Sequence, residues 1–342
     1  VLAGLAATQG LSVALTSCII AGLIHFALGS IIISIRSWFP PLVTGLVILA
    51  IGLYLIPVGI KYAAGGAAEF QMTAESFGSL KHWAVALTVI IVALIVKFKA
   101  SGTLSSAAIL IGLIAGYVLA YILGMVSFGG VAKASWITSL QVLPFGFEFN
   151  LGAVIAVTLI SIVSAVETVG DTSATTKAGA GRDATDDEIS GATYADGLGT
   201  AVAGVFGGLP NTSFSQNVGI VGMTGVMSRH VVTIAGLIMV ICGLLPKIGA
   251  LIASMPMPVL GGGVIVMFVM VAGAGMNVMS DVKMTRRNMM IIAISLTVGL
   301  GLNLVPSAVQ YLPGVWKTLA TSAVAPTAFL AILLNQILPE DE

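Results

Sequence analysis

Glu167, Asp171, Asp196, Gln216 and Asn217 are the residues whose types and spacing could do chemistry in this chain. Glu167 and Asp171 stand four apart in SAVETVGDTSATT, so a helix carrying them shows both on one face. Gly170 between them admits a neighbouring helix or a ligand. Two carboxylates this close in a low dielectric resist ionising together, so one tends to hold a proton. That is the chemistry of a proton-coupled carrier; a buried polar network that fixes helix packing is the competing reading. Asp196, in YADGLGT, sits early in its apolar stretch, and there a structural role and direct coupling stay open. Gln216 and Asn217 carry amides that donate and accept at once.

The elements that must position these groups lie in a membrane. Charged residues make up 8% of 342 positions and hydrophobic ones 58%, with a mean hydropathy of +1.09. A soluble domain carries about 25% charge, so the chain reads as an integral, all-α polytopic membrane protein. Ionisable groups inside such spans are costly and functional by default. Net charge is zero, which argues against a nucleic-acid partner. Cys18 and Cys242 sit in apolar runs and read as packing residues, and the methionines as core. His25, inside an apolar span, reads as a packed helix-contact residue; His82 and His230 stand at span ends. The first residue is Val1 and no signal peptide is visible, so the chain reads as the remainder of a longer protein.

Apolar stretches near the bilayer-spanning length of about 20 residues fall at 12–35, 40–60, 82–98, 103–126, 150–174, 190–208, 212–228, 231–253, 258–280, 288–306 and 317–337, about eleven in all. The stretch at 212–228 is broken. Pro210 and the small polar and aromatic residues Asn211 to Ser215, Phe214 among them, favour extended backbone; helical spacing starts at Gln216 and closes at Ser228-Arg229-His230. A helix that begins in mid-membrane leaves its first N–H groups and positive dipole end aimed at something. In lipid such a break is tolerated where it lines a cavity, which is where secondary transporters bind substrate. Thr185-Asp186-Asp187-Glu188 has the pattern of a capping box opening the helix that carries Asp196.

Nine basic residues, from Arg36 to Arg287, fall in alternate connections on one side, and Lys61, Lys81, Lys133, Lys247 and Lys317 on the other. The positive-inside rule puts the nine in the cytoplasm. Ile20-Ala21-Gly22-Leu23-Ile24 recurs at 234–238, and the proline-led stretch at Pro41 recurs at Pro258, separations of 214 and 217 residues. About seven spans per repeat makes the second copy inverted. Residues 1–11 would then be the tail of a third span.

Gln216-Asn217-x-Gly219-x4-Thr224-Gly225 resembles the signature of the nucleobase–ascorbate transporter family, also called nucleobase–cation symporter-2. Glu-Thr-Val-Gly-Asp at 167–171 looks like the purine-type version of that family's eighth-span motif. The resemblance covers nearly the whole chain. It implies a fold of about fourteen inverted-repeat spans, with core (1–36, 131–254) and gate (37–130, 255–342) parts, usually as a homodimer in the cytoplasmic (inner) membrane. It implies proton-coupled symport of a purine base, xanthine or uric acid, with no cofactor and the proton gradient as driving force. Glu167 would take the ring N–H groups and Gln216 the opposite edge, with Asn217 and Phe214 shaping the site. Asp171 and Asp196 would support the proton-linked network, and Gly219, Thr224 and Gly225 complete the signature. The Gln-His motif of the family's first span and the half-helix of its third, which packs over the base, have no counterpart in this sequence.

Two other classes compete. An inorganic-anion transporter of the same fold, of sulfate or bicarbonate type, calls for a basic residue at the broken helix, where this chain has amides beside acids. An intramembrane enzyme calls for a nucleophile–base pair or a metal cluster, and the sequence shows no His-x-x-x-His or paired cysteines.

Overall fold

The computed structural model describes residues 2–35, 38, 40–214, 217–218, 221, 225–280 and 282–339. Among these the chain is all helix and connection, without a strand. In order, the helices are α1 (Leu2–Gln9), α2 (Leu11–Leu28), α3 (Ile32–Ile35), α4 (Pro41–Ala64), α5 (Glu69–Met72) and α6 (Leu80–Lys99). There follow α7 (Gly102–Ser106), α8 (Ala108–Ile122), α9 (Gly129–Lys133), α10 (Leu151–Ala180), α11 (Asp186–Val205) and α12 (Arg229–Gly243). The last five are α13 (Pro246–Ala253), α14 (Met257–Val278), α15 (Arg286–Leu304), α16 (Gly314–Ala320) and α17 (Val324–Ile337). Among the described residues six helices are long and apolar enough to cross a bilayer, or seven if α12 and α13 count as one bent span. The chain is a multi-pass membrane protein.

Ten of the eleven expected stretches map onto helices, and four of them differ in form. The 12–35 stretch ends as a helix at Leu28 and resumes as the short α3. The 103–126 stretch is α7 followed by α8. The 231–253 stretch bends by 85° between α12 and α13, where Pro246 opens the second helix. The 317–337 stretch is broken at 321–323, with Ala323 held at φ 57 between α16 and α17. Hydropathy registers apolar length and is blind to such breaks, because the residues at them are small, apolar or hydroxyl-bearing and carry no charge.

The broken stretch at 212–228 also ends earlier than its spacing suggests. Gly225 adopts φ 66 and its N–H reaches Val221 C=O at 2.8 Å, a left-handed closure that suits glycine. Residues 225–228 are not helical, and Arg229 and His230 open α12. The order expected for a repeat, helix then proline-led helix, occurs twice, as α2 before α4 and α12–α13 before α14.

Two compact units share the chain. The first comprises Val1–Tyr54, Gln141–Gly219 and Val271–Glu342; the second comprises Leu55–Leu140 and Ile220–Met270. In the second, α6 and α8 pack through Gly112 and Gly116 against Ala93 and Val89, and Tyr117 Oη meets Ser254 Oγ at 2.7 Å.

The first unit holds the carboxylates. Its core joins Leu42, Val43 and Leu46 of α4 to Ala165, Val166 and Val169 of α10, with Ile189 of α11 and Ile291 of α15. α2 and α11 meet backbone to backbone. A Cβ on Gly22 would stand 2.5 Å from Ala201 N, and one on Gly197 would collide with Phe26 N. Small residues of this kind let helices approach in lipid. Gly170 faces Thr44 of α4, so the neighbour it admits is a helix.

Candidate functional site

α10 is the main carrier of the site, and its ends are fixed by its sequence. Asn150 caps it by accepting from Ala153 N–H at 3.0 Å, and Gly181 closes it at φ 67. Across its 30 residues one face is polar: Ser161, Ser164, Glu167, Thr168 and Asp171 recur at three- and four-residue spacing. α11 opens with the expected capping box, Thr185 Oγ1 accepting from Glu188 N–H and Glu188 Oε2 from Thr185 N–H at 2.8 Å. This start sets Asp196 on the third turn, facing α10.

Between α11 and the signature runs a non-helical segment, 207–214, whose hydroxyls answer the carboxylates. Thr200 Oγ1 anchors it, accepting from Asn211 N–H and donating to Asn211 C=O, both at 3.2 Å. Thr212 Oγ1 then donates to Glu167 Oε2 at 3.2 Å, and Ser213 Oγ to Asp171 Oδ2 at 2.6 Å. Hydrogen bonds to charged groups contribute about 1.5–3 kcal/mol each. Adjacent residues of one segment thus hold carboxylates one turn apart on a helix. Thr168 Oγ1 donates to Asp196 Oδ2 at 2.8 Å, and Ser164 Oγ meets Thr212 Oγ1 at 2.8 Å.

Glu167, Ser164, Thr200, Asn211 and Thr212 border a cavity of about 470 Å³ in the first unit, within the range of roughly 300–1,000 Å³ usual for small-molecule sites. Glu167, Ser161, Ser164, Asn211 and Thr212 give it polar points; Ile51, Tyr54, Val157 and Ile160 are among its apolar walls. Ser322, inside the break between α16 and α17, and Val324, just after it, also reach it.

The structure brings together Glu167, Asp171 and Asp196, all buried, with Glu167 on the cavity wall and the other two behind it. Phe214 is 51% exposed and Asn217 is exposed, and neither lines the cavity. Gly225 closes its helix as described. Gln216, Gly219 and Thr224 lie outside the described residues.

Sequence reasoning missed the hydroxyl partners Thr212, Ser213, Ser164 and Thr168. The spacing of Ser161, Ser164 and Thr168 with Glu167 on one helix face is the signal that could have found those on α10. His25 was expected as a packing residue; it is buried, and it also touches Ser161 and Asp196.

The model of the Permease family matches residues 2–308. A relative from Clostridium perfringens is 40% identical over 337 residues, covering 97% of this chain and 72% of its own length. The uric acid permease PucK of Bacillus subtilis is 37% identical, over 96% of this chain and 75% of its own. The xanthine permease of the same organism is 35% identical, over 94% and 72%. The transmembrane domain of the cyanobacterial bicarbonate transporter BicA shares the fold, with a TM-score of 0.60 at 16% identity over 98% of this chain and 79% of that domain. A family match along most of the chain, joined to relatives at these identities, makes this chain a member of the Permease family, that of the nucleobase–ascorbate transporters, alongside its purine, xanthine and uric acid permeases.

Proposed function

We propose that the protein is a secondary transporter that moves a purine base, xanthine or uric acid, together with protons across the cytoplasmic membrane. The observation that carries the reading is Glu167, a buried carboxylate on the wall of a ligand-sized cavity, oriented by Thr212. A xanthine or urate ring offers a flat face and paired N–H groups, and one carboxylate accepts two such bonds well. A site built on such hydrogen bonds rejects analogues that lack the N–H groups. The names of the relatives support a purine substrate. The resemblance supports a homodimer in lipid, with the two core segments moving against the gate, Gln216 closing the far edge of the base and Asn217 shaping the specificity of the site.

The anion-transporter alternative draws only on fold from the bicarbonate transporter. An inorganic anion calls for a cation in its site, and the described lining holds Glu167 and no lysine, arginine or histidine. Uptake of labelled xanthine and urate by the full-length protein, with and without Glu167→Gln, tests the proposal. Loss of gradient-driven uptake in the variant is expected. Unchanged uptake removes Glu167 from the mechanism, and inhibition by sulfate but not by purines restores the anion reading.

A further inference from the structure

His25 sits deep in α2 with 1% of its surface exposed. The glycine contacts of α2 with α11 hold its ring against both α10 and α11. Nδ1 lies 2.9 Å from Ser161 Oγ, and Nε2 lies 3.7 Å from Asp196 Oδ2 with no hydrogen-bond partner among the described residues. A buried ring nitrogen without a partner is costly. If Nδ1–H donates to Ser161, the Nε2 lone pair faces a carboxylate oxygen, and two acceptors oppose each other. One proton between them turns that conflict into a charge-assisted bond. Ser161 is also a cavity-lining residue, so the imidazole links the cavity to the carboxylate behind its wall.

The hydroxyls supply a connection to the substrate side. Each has one hydrogen to give. Thr168 donates to Asp196 and Thr212 to Glu167; either hydroxyl can donate across the Ser164–Thr212 contact, and with the Thr212 hydrogen on Glu167 the one between them is that of Ser164. A base that donates its N–H groups to Glu167 displaces Thr212, which can then turn to Ser164. Ser164, now free to donate, faces Asp196 Oδ2 at 3.5 Å. An added donor keeps Asp196 anionic and so favours imidazolium at His25. Substrate and proton then bind with the same sign, as symport requires.

We propose that His25 is a proton-coupling residue of this transporter: its Nε2 takes up one proton beside Asp196 when the purine engages Glu167, and releases it with the purine on the other side. The proton comes from hydronium in solution and returns to water there, an N–H bond forming as an O–H bond breaks and the reverse on release. The inference rests on the proposed function. The titratable groups on the elements packed around the ring are Cys18 on α2 itself, Asp186, Asp187, Glu188, Tyr194 and Asp196 on α11, and Glu167, Asp171 and Lys177 on α10; α1 has none. Asp196 is the ion-pair partner recorded for His25 among the described residues.

The test uses the full-length protein in vesicles, with labelled xanthine and urate, measuring purine binding and pH-gradient-driven accumulation separately. His25→Asn and His25→Gln keep an amide in the ring's place and cannot carry the proton. Both are expected to cut driven accumulation by about tenfold, the scale of a site-to-site coupling, and to flatten its pH profile, while purine-for-purine exchange persists. Ser161→Ala keeps the imidazole and removes its Nδ1 partner; it is expected to move the pH midpoint of uptake. It covers the case in which the amide variants do not fold. An unaltered pH profile in any of the three overturns the role of His25, as does parallel loss of exchange and accumulation in folded amide variants. A wild-type protein that binds no purine removes the transport reading beneath it, which the binding arm reports by itself.

Discussion

At the scale of single residues, the site is a matter of hydroxyl hydrogens delivered to carboxylates. Glu167 and Asp171 share a helix face by their four-residue spacing, and this much is readable from the chain. Their partners Thr212 and Ser213 are 45 and 42 positions away, and no periodicity connects them. Thr212→Ala should lower the KM for purine by up to roughly tenfold, the equivalent of one bond to a charged group that the base no longer has to displace. Thr212→Ser should return it most of the way to the wild-type value. Uptake kinetics across a concentration series measure both, and equal KM values would leave Thr212 without a part in holding Glu167. Ser213→Ala should instead act on the pH dependence, since Asp171 stands behind the wall.

At the scale of elements, the register of α2 against α11 decides who meets whom. That register is set by Gly22 and Gly197, where an added methyl group has no room. Gly22→Ala should lower stability by about 1–3 kcal/mol, as overpacking does, read as a reduced Tm of the purified protein; an unchanged Tm would mean the helices can separate freely. The capping box belongs to this scale as well. Arg182 grips Glu188 with two hydrogen bonds, at 2.6 and 2.9 Å, and together with the Thr185 N–H holds its carboxyl down to about 2. A carboxyl lowered on folding stabilises the native state above its ordinary value of 4.5, and the effect fades as pH falls toward about 2. Wild type and Glu188→Gln should therefore differ in Tm at pH 7 and converge through that window. The pair is exposed, so the difference is expected to be small and to shrink with salt.

At the scale of the whole molecule, apolar surface is the dominant fact. Phe98 and Leu80, at opposite ends of α6, are 82% and 87% exposed, which suits lipid and its interface rather than water. The charge bias puts Lys97 and Lys99 inside and Lys81 outside. Ser79 and Ser101 flank α6, so in a Cys242→Ser background Ser79→Cys should react with an impermeant thiol reagent added outside intact cells. Ser101→Cys should stay unlabelled until the membrane is opened. The reverse labelling would invert the topology.

The sequence by itself determined the membrane class, the helix positions, the α11 capping box and the family, because hydropathy, cap chemistry and a signature motif are local properties of the chain. Breaks in apolar stretches escaped it: Ala323 turns the last span with no charge, proline or glycine at the break. Only the tertiary structure decided that Thr212 serves Glu167, Ser213 serves Asp171, and His25 faces both Ser161 and Asp196. Those meetings join segments 42 to 171 positions apart, and they follow from how closely glycine lets helices approach and where a connecting segment crosses them.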